Sequence, residues 1–112
     1  MNIVNYKELE IMDNPHGVEA KKLLDTEHAQ VMHILLKPNE KLKRHLTPVD
    51  VFFYVLEGEG YVEIGDEKVL VKKDSLIESP KRIVHCLYNE SDKDFRVLVV
   101  KTPRPSKPTE VK

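Results

Sequence analysis

The chain predicts an all-β barrel or sandwich, and three observations carry that expectation. Short apolar and β-branched runs are broken by turn signals about every 8–12 residues, the spacing of closely packed strands. No segment offers a helical period of apolar residues. The run Val51 to Leu56 (V-F-F-Y-V-L) is apolar throughout and enters Glu57-Gly58-Glu59-Gly60, where glycines permit a turn.

In chain order, Asn2 to Met12 is expected as a first strand, ended by Asp13-Asn14-Pro15-His16-Gly17, which is dense in turn formers. Val18 to Leu24 is a second, weaker strand. Ala29 to Lys37 (A-Q-V-M-H-I-L-L-K) is a strong third, stopped by Pro38-Asn39. Leu42 to Thr47 is a short fourth, capped by Pro48. Val51 to Leu56 and Tyr61 to Ile64 are expected to form a central hairpin. Gly65-Asp66-Glu67 then turns the chain into Lys68 to Lys73. Leu76 to Glu78 is brief and ends at Pro80. Arg82 to Asn89 and Phe95 to Thr102 complete the set. Residues 1–102 read as one domain, with the strands of residues 1–24 packed on the barrel or on a partner. The tail, residues 103–112, carries three prolines and is expected to be extended or disordered.

The 112 residues suffice for a single core. Hydrophobic residues make up 40% and charged residues 33%, with a net charge of −1, so no basic face draws the chain to nucleic acid. The longest apolar run falls far short of the roughly 18 residues of a membrane helix. The N-terminus lacks the charged and apolar regions of a signal peptide. The lone Cys86 has no disulfide partner, which fits a cytoplasmic setting.

Strand alternation divides the residues between two faces. If His45, Thr47 and Val51 point inward, so do Phe53 and Val55, while Phe52, Tyr54 and Leu56 point out. A strand apolar on both faces is covered on both. A homodimer is the favoured cover; the first 24 residues are the alternative within one chain.

From about Pro38 to Val100 the chain resembles the cupins, small jelly-roll barrels (double-stranded β-helices). The first cupin motif is G-x5-H-x-H-x3-4-E-x6-G. Here Asn39 stands for the first glycine, His45 is present, Thr47 replaces the second histidine, Val51 replaces the glutamate, and Gly58 matches the last glycine. The second motif is G-x5-P-x-G-x2-H-x3-N. Lys73 stands for its glycine, Pro80 falls one residue late, Lys81 or Arg82 takes the second glycine's place, and His85 and Asn89 keep their spacing. The resemblance implies a cavity in the barrel that binds a small molecule, lined by His33, His45, Thr47, Val51, Phe53 and His85. It also implies a site for one divalent transition metal (Fe, Mn, Ni, Cu or Zn), for which neutral imidazoles and a carboxylate are suitable ligands. Only His45 and His85 occupy ligand positions, so a metal of the usual kind needs a substitute ligand, and no metal at all is an equal expectation.

His33, in the apolar run V-M-H-I-L-L, is the first candidate for that ligand; its other reading is a hydrogen-bonded core histidine. Asp50 would have to be turned inward by a bulge. Glu78 reads as a rim carboxylate. His16 and His28, in or beside turns, read as surface residues. Cys86 and Tyr88 face away from His85; Cys86 reads as a small buried hydrophobe and Tyr88 is expected to pack with Tyr54 and Phe52. Asn89 reads as a turn-binding side chain. Lys41 to Arg44 with Lys81 and Arg82 place positive charge at the ends of the site, either to favour anions or as ordinary solvated charge. The functional expectations are therefore a cupin pocket using His45, His85 and His33, a metal-free binding or structural module, or a metal-independent epimerase-like enzyme with a histidine base.

Overall fold

The computed structural model describes residues 1–112, which form ten strands and one short 3-10 turn at Tyr6–Glu8. The strands are β1 (Glu19–Asp25), β2 (Gln30–Leu36), β3 (His45–Leu46), β4 (Asp50–Glu57), β5 (Glu59–Ile64), β6 (Glu67–Lys72), β7 (Leu76–Ser79), β8 (His85–Tyr88), β9 (Phe95–Thr102) and β10 (Glu110–Val111). They make two five-stranded antiparallel sheets, in the orders β1-β2-β9-β4-β7 and β10-β3-β8-β5-β6. The all-β class read from the sequence holds.

Period-two alternation builds the core. Along β4, Val51, Phe53 and Val55 are buried; along β9, Phe95, Val97 and Val99 are. In register, Phe53 lies opposite Val99 and Val55 opposite Val97, so the two strands present one apolar surface. Val62 and Leu87 of the other sheet close on it. Each such side chain, fully buried, contributes about 1.5–3 kcal/mol before chain entropy is counted.

Two expectations are corrected. Val51 to Ile64 is not a hairpin: β4 and β5 belong to different sheets. The chain changes sheets at Gly58, whose φ is +79° and whose Cα lies against the Asp94 carbonyl. The true hairpin is β5–β6, turning at Gly65-Asp66, with Ile64 opposite Glu67. Asn2 to Met12 is not a strand; apart from the 3-10 turn it runs irregularly, and Met12 N–H donates to the Ala20 carbonyl. The proline-bearing tail takes the extended alternative at its end, where β10 pairs with β3, Val111 opposite His45.

Gly60 of β5 packs against Phe95 of the other sheet. A Cβ there would overlap the Phe95 ring and lie 2.6 Å from the Tyr88 carbonyl oxygen. Gly60→Ala is therefore expected to destabilise the fold by ~1–3 kcal/mol, read as a lowered urea midpoint with an unchanged slope.

Candidate functional site

A cavity of about 140 Å³ lies between the sheets. Its polar lining includes His16, His45, Thr47, His85 and Lys101; Met32, Ile34, Phe53 and Val99 supply apolar walls. The strands place these groups by parity. His45 of β3 pairs directly with His85 of β8, so both rings project to one face. Phe53 of the opposite sheet meets the His85 ring edge-on at 5.3 Å between centroids.

The hydrogen bonds fix the tautomers. His45 Nδ1 lies 2.7 Å from the Lys43 carbonyl oxygen, which can only accept, so Nδ1 carries the proton. His45 Nε2 is then an acceptor, 3.0 Å from His85 Nε2, which must donate. His85 Nδ1 in turn accepts from the Ser79 hydroxyl at 2.6 Å. The result is a chain, Ser79 to His85 to His45 to Lys43, with every ring nitrogen satisfied. Burial holds all three cavity imidazoles neutral: His85 is pushed down to about 3 and His16 to about 4, by desolvation first and then by neighbouring charge. His45 is lowered for the same leading reason.

His16 was expected at the surface and instead enters the cavity. Asn14 makes this turn rigid: its Oδ1 accepts from the His16 N–H at 3.1 Å and its Nδ2 donates to the Val18 carbonyl at 2.8 Å. Gly17 follows with φ +71°. His16 Nδ1 accepts the Lys43 N–H at 2.9 Å, and its ring lies 4.7 Å from that of His45. The dense turn was visible in the sequence, but not that it folds inward. Ser79 and Lys101 were also missed. For Lys101 a signal existed, since it shares parity with inward-facing Val97 and Val99 on one strand.

The other candidates lie elsewhere. His33 is buried, but its neighbours Met32 and Ile34 line the cavity, so its own side chain projects from the opposite face of β2. There Arg96 Nε donates to its Nε2 at 3.0 Å and the Tyr6 ring stacks at 3.7 Å. The expectation that His33 joins the site is corrected: an apolar strand does not reveal which face is inside. Val51 is a core residue outside the cavity lining. Asp50 is exposed and accepts the Lys81 N–H at 2.9 Å. Glu78 is exposed. His28 lies beside Glu27 at 3.1 Å on the surface. Tyr88 does not pack with Tyr54 and Phe52, which lie on the other sheet; its hydroxyl donates to Glu63 at 2.7 Å. Cys86 is fully buried, its thiol pushed up to about 11 by burial, and so stays protonated. Asn89 donates to the Leu36 and Lys93 carbonyls and holds its turn.

Comparison with known proteins places the fold. The cupin domain family matches residues 32–101. The chain belongs to the cupin family. An uncharacterized protein of Methanocaldococcus jannaschii, MJ0764, is 27% identical over 88 residues, covering 78% of this cupin and 76% of the relative. The crystal structure of TT1209 from Thermus thermophilus superposes with a TM-score of 0.80 at 30% identity, over 94% of this chain and all of that one. The polyketide cyclase RemF from Streptomyces resistomycificus gives a TM-score of 0.84 at 21% identity, over 99% and 84% of the two chains, a likeness of fold.

The metal that cupins of the usual type hold does not fit this cupin's residues. His45 and His85 offer two nitrogens, whose Nε2 atoms hydrogen-bond to each other. His16 carries its proton on Nε2, because its Nδ1 already accepts a backbone N–H. Thr47 and Val51 stand where further ligands would be, and Lys101, opposite Val51 in register, brings a cation to the same wall. No three His, Cys, Asp or Glu side chains converge on a point in the chain. Two imidazoles beside a lysine are a poor donor set for a dication.

The neutral imidazoles make stability pH-dependent. A histidine titrates near 6.5 when unfolded, whereas His16 and His33 are held at about 4 and His85 at about 3. As pH falls below about 6.5 the unfolded chain takes up protons first. The contribution is therefore complete above that pH and is lost on the way down to the folded values. Urea midpoints measured from pH 7 to pH 4.5 are expected to fall steadily; a flat profile would show that these histidines are not buried neutral.

Proposed function

We propose that this cupin binds a small molecule in its interior cavity and does so without a metal ion. The observation that carries the reading is the closed hydrogen-bond chain from Ser79 through His85 and His45 to Lys43. It leaves both imidazoles satisfied in their neutral forms, where a metal site would need two free lone pairs aimed at one point. The apolar wall of Met32, Ile34, Phe53 and Val99 gives a ligand surface to bury.

The same pair offers proton exchange. A ligand that parts the two rings meets a basic Nε2 on His45 and an Nε2–H donor on His85, 3.0 Å apart. An acceptor and a donor side by side can take a proton from one ligand atom and return one to another, the requirement of isomerase or lyase chemistry. Burial keeps His45 unprotonated and available as the acceptor. The buried lone Cys86 is consistent with a reducing, cytoplasmic setting.

We further propose that a second copy of the chain covers the outer face of the β1-β2-β9-β4-β7 sheet. Phe52 and Val100 lie in one row of that face, and Leu98, Tyr54 and Leu76 in the next. Phe52, Tyr54 and Leu98 are half-buried and Leu76 is 53% exposed, a contiguous apolar surface. Tyr6 covers only the His33–Arg96 end.

Two measurements test these readings. Protein purified without an affinity tag is expected to carry well under one equivalent of Fe, Mn, Ni, Cu or Zn; a full equivalent that disappears in His85→Ala would overturn the metal-free reading. In solution the mass is expected to be that of a dimer, and Phe52→Lys is expected to halve it. A wild-type chain that is monomeric at every concentration removes the dimer.

A further inference from the structure

We propose that the cavity contains an anion subsite, in which the Lys101 ammonium and the His16 Nε2–H seat the carboxylate of a small organic acid. The proposal rests on the cavity being a small-molecule site and names the class of molecule it takes.

Lys101 is the last inward-facing residue of β9 and contributes to the cavity wall. It takes part in none of the chain's six ion pairs. Its cross-strand neighbours are Val51 on β4 and Gln30 on β2, so neither flanking position carries a charge to neutralise it. No Asp or Glu lines the cavity at all. A cation in a half-apolar recess, without a counter-ion from its own chain, leaves the recess with a positive field. Desolvation acts on it in the expected direction, lowering the Lys101 pKa, and its charge reaches His16, His45 and His85.

His16 adds direction to that field. Its Nδ1 is committed to the Lys43 N–H, so the neutral ring presents Nε2–H, a donor that the chain itself leaves without an acceptor. An ammonium and an imidazole N–H together suit an oxygen anion, and neither can serve as acceptor for a cationic ligand. Met32, Ile34 and Phe53 then receive the apolar part of the molecule. The volume of about 140 Å³ holds roughly four to five water-sized groups at about 30 Å³ each. That volume suits acids of about two to four carbons. With a carboxylate seated beside Lys101, the His45–His85 pair faces the remainder of the ligand.

The experiment uses the full chain and two matched series of probes. Acetate, propionate and pyruvate carry the anion; acetamide and propionamide are their neutral counterparts. Amide resonances of Thr47, Phe53 and Lys101 are followed by NMR during titration. The carboxylates are expected to shift these resonances saturably, at least tenfold more tightly than the amides. Lys101→Met keeps an unbranched side chain of nearly the same length and removes a desolvated charge, so it is expected to melt no lower than wild type. It is expected to weaken carboxylate binding at least tenfold and to leave the amides unchanged. Amides that bind as tightly as the acids, or a Lys101→Met variant with wild-type carboxylate affinity, would overturn the anion subsite while the cavity remains a binding site. If neither series moves the cavity resonances, the cavity reading and the subsite fall together.

Discussion

The structure depends on one buried polar line that crosses the barrel. Ser79 belongs to β7 in one sheet, while His85 and His45 belong to β8 and β3 in the other. The hydrogen bonds joining them at 2.6 and 3.0 Å therefore tie the two sheets through the interior, and the last bond returns the line to the Lys43 backbone. All three side chains are buried. An imidazole nitrogen left unpaired there would lose water without compensation, so the line is stable only when complete. It also specifies which atom carries each proton, and so sets what a ligand meets.

Around that line the cavity has an uneven distribution of charge. Its imidazoles are neutral because burial penalises their charged forms. Lys101 supplies charge at one wall, and the substitution of Val51 for the family's glutamate leaves that charge without a partner. The two departures at the motif's ligand positions thus act together. Thr47 replaces an imidazole with a hydroxyl, 3.5 Å from His85 Nε2, and Val51 replaces a carboxylate with core packing. Both changes remove metal-ligand chemistry from the cavity, and the second leaves the Lys101 ammonium beside a hydrocarbon.

Much of this was legible in the sequence, and the reasons for the remainder are specific. Turn signals and period-two alternation were enough for an all-β chain, for the inward parity of Phe53 and Val55, and for the placement of Cys86 away from His85. The hairpin expected at Gly58 failed because a glycine corner between two sheets and a tight turn within one look the same locally; only Asp94 and Phe95, far along the chain, distinguish them. His33 failed for a different reason. In V-M-H-I-L-L both parities are apolar, so burial of the strand does not say which face meets the cavity. His16 was missed because turn formers are usually solvated, and nothing local shows that Lys43, distant in sequence, supplies the N–H that draws the ring inward.

These same features explain why restoring a single ligand would not by itself restore a metal site. A glutamate at position 51 would sit opposite Lys101 on the neighbouring strand, where the nearest unneutralised charge is the ammonium. Opposite charges placed cross-strand attract, so the new carboxylate would engage the lysine before it engaged a metal. A histidine at position 47 would still meet a His85 whose Nε2 donates its proton to His45. Freeing that lone pair requires the proton to move to Nδ1 and Ser79 to reverse from donor to acceptor. The hydroxyl of Ser79 can act in either sense. The tautomer of His85 is set from the other side, by His45 and the Lys43 carbonyl behind it, so a metal at His85 Nε2 would require that line of hydrogen bonds to break.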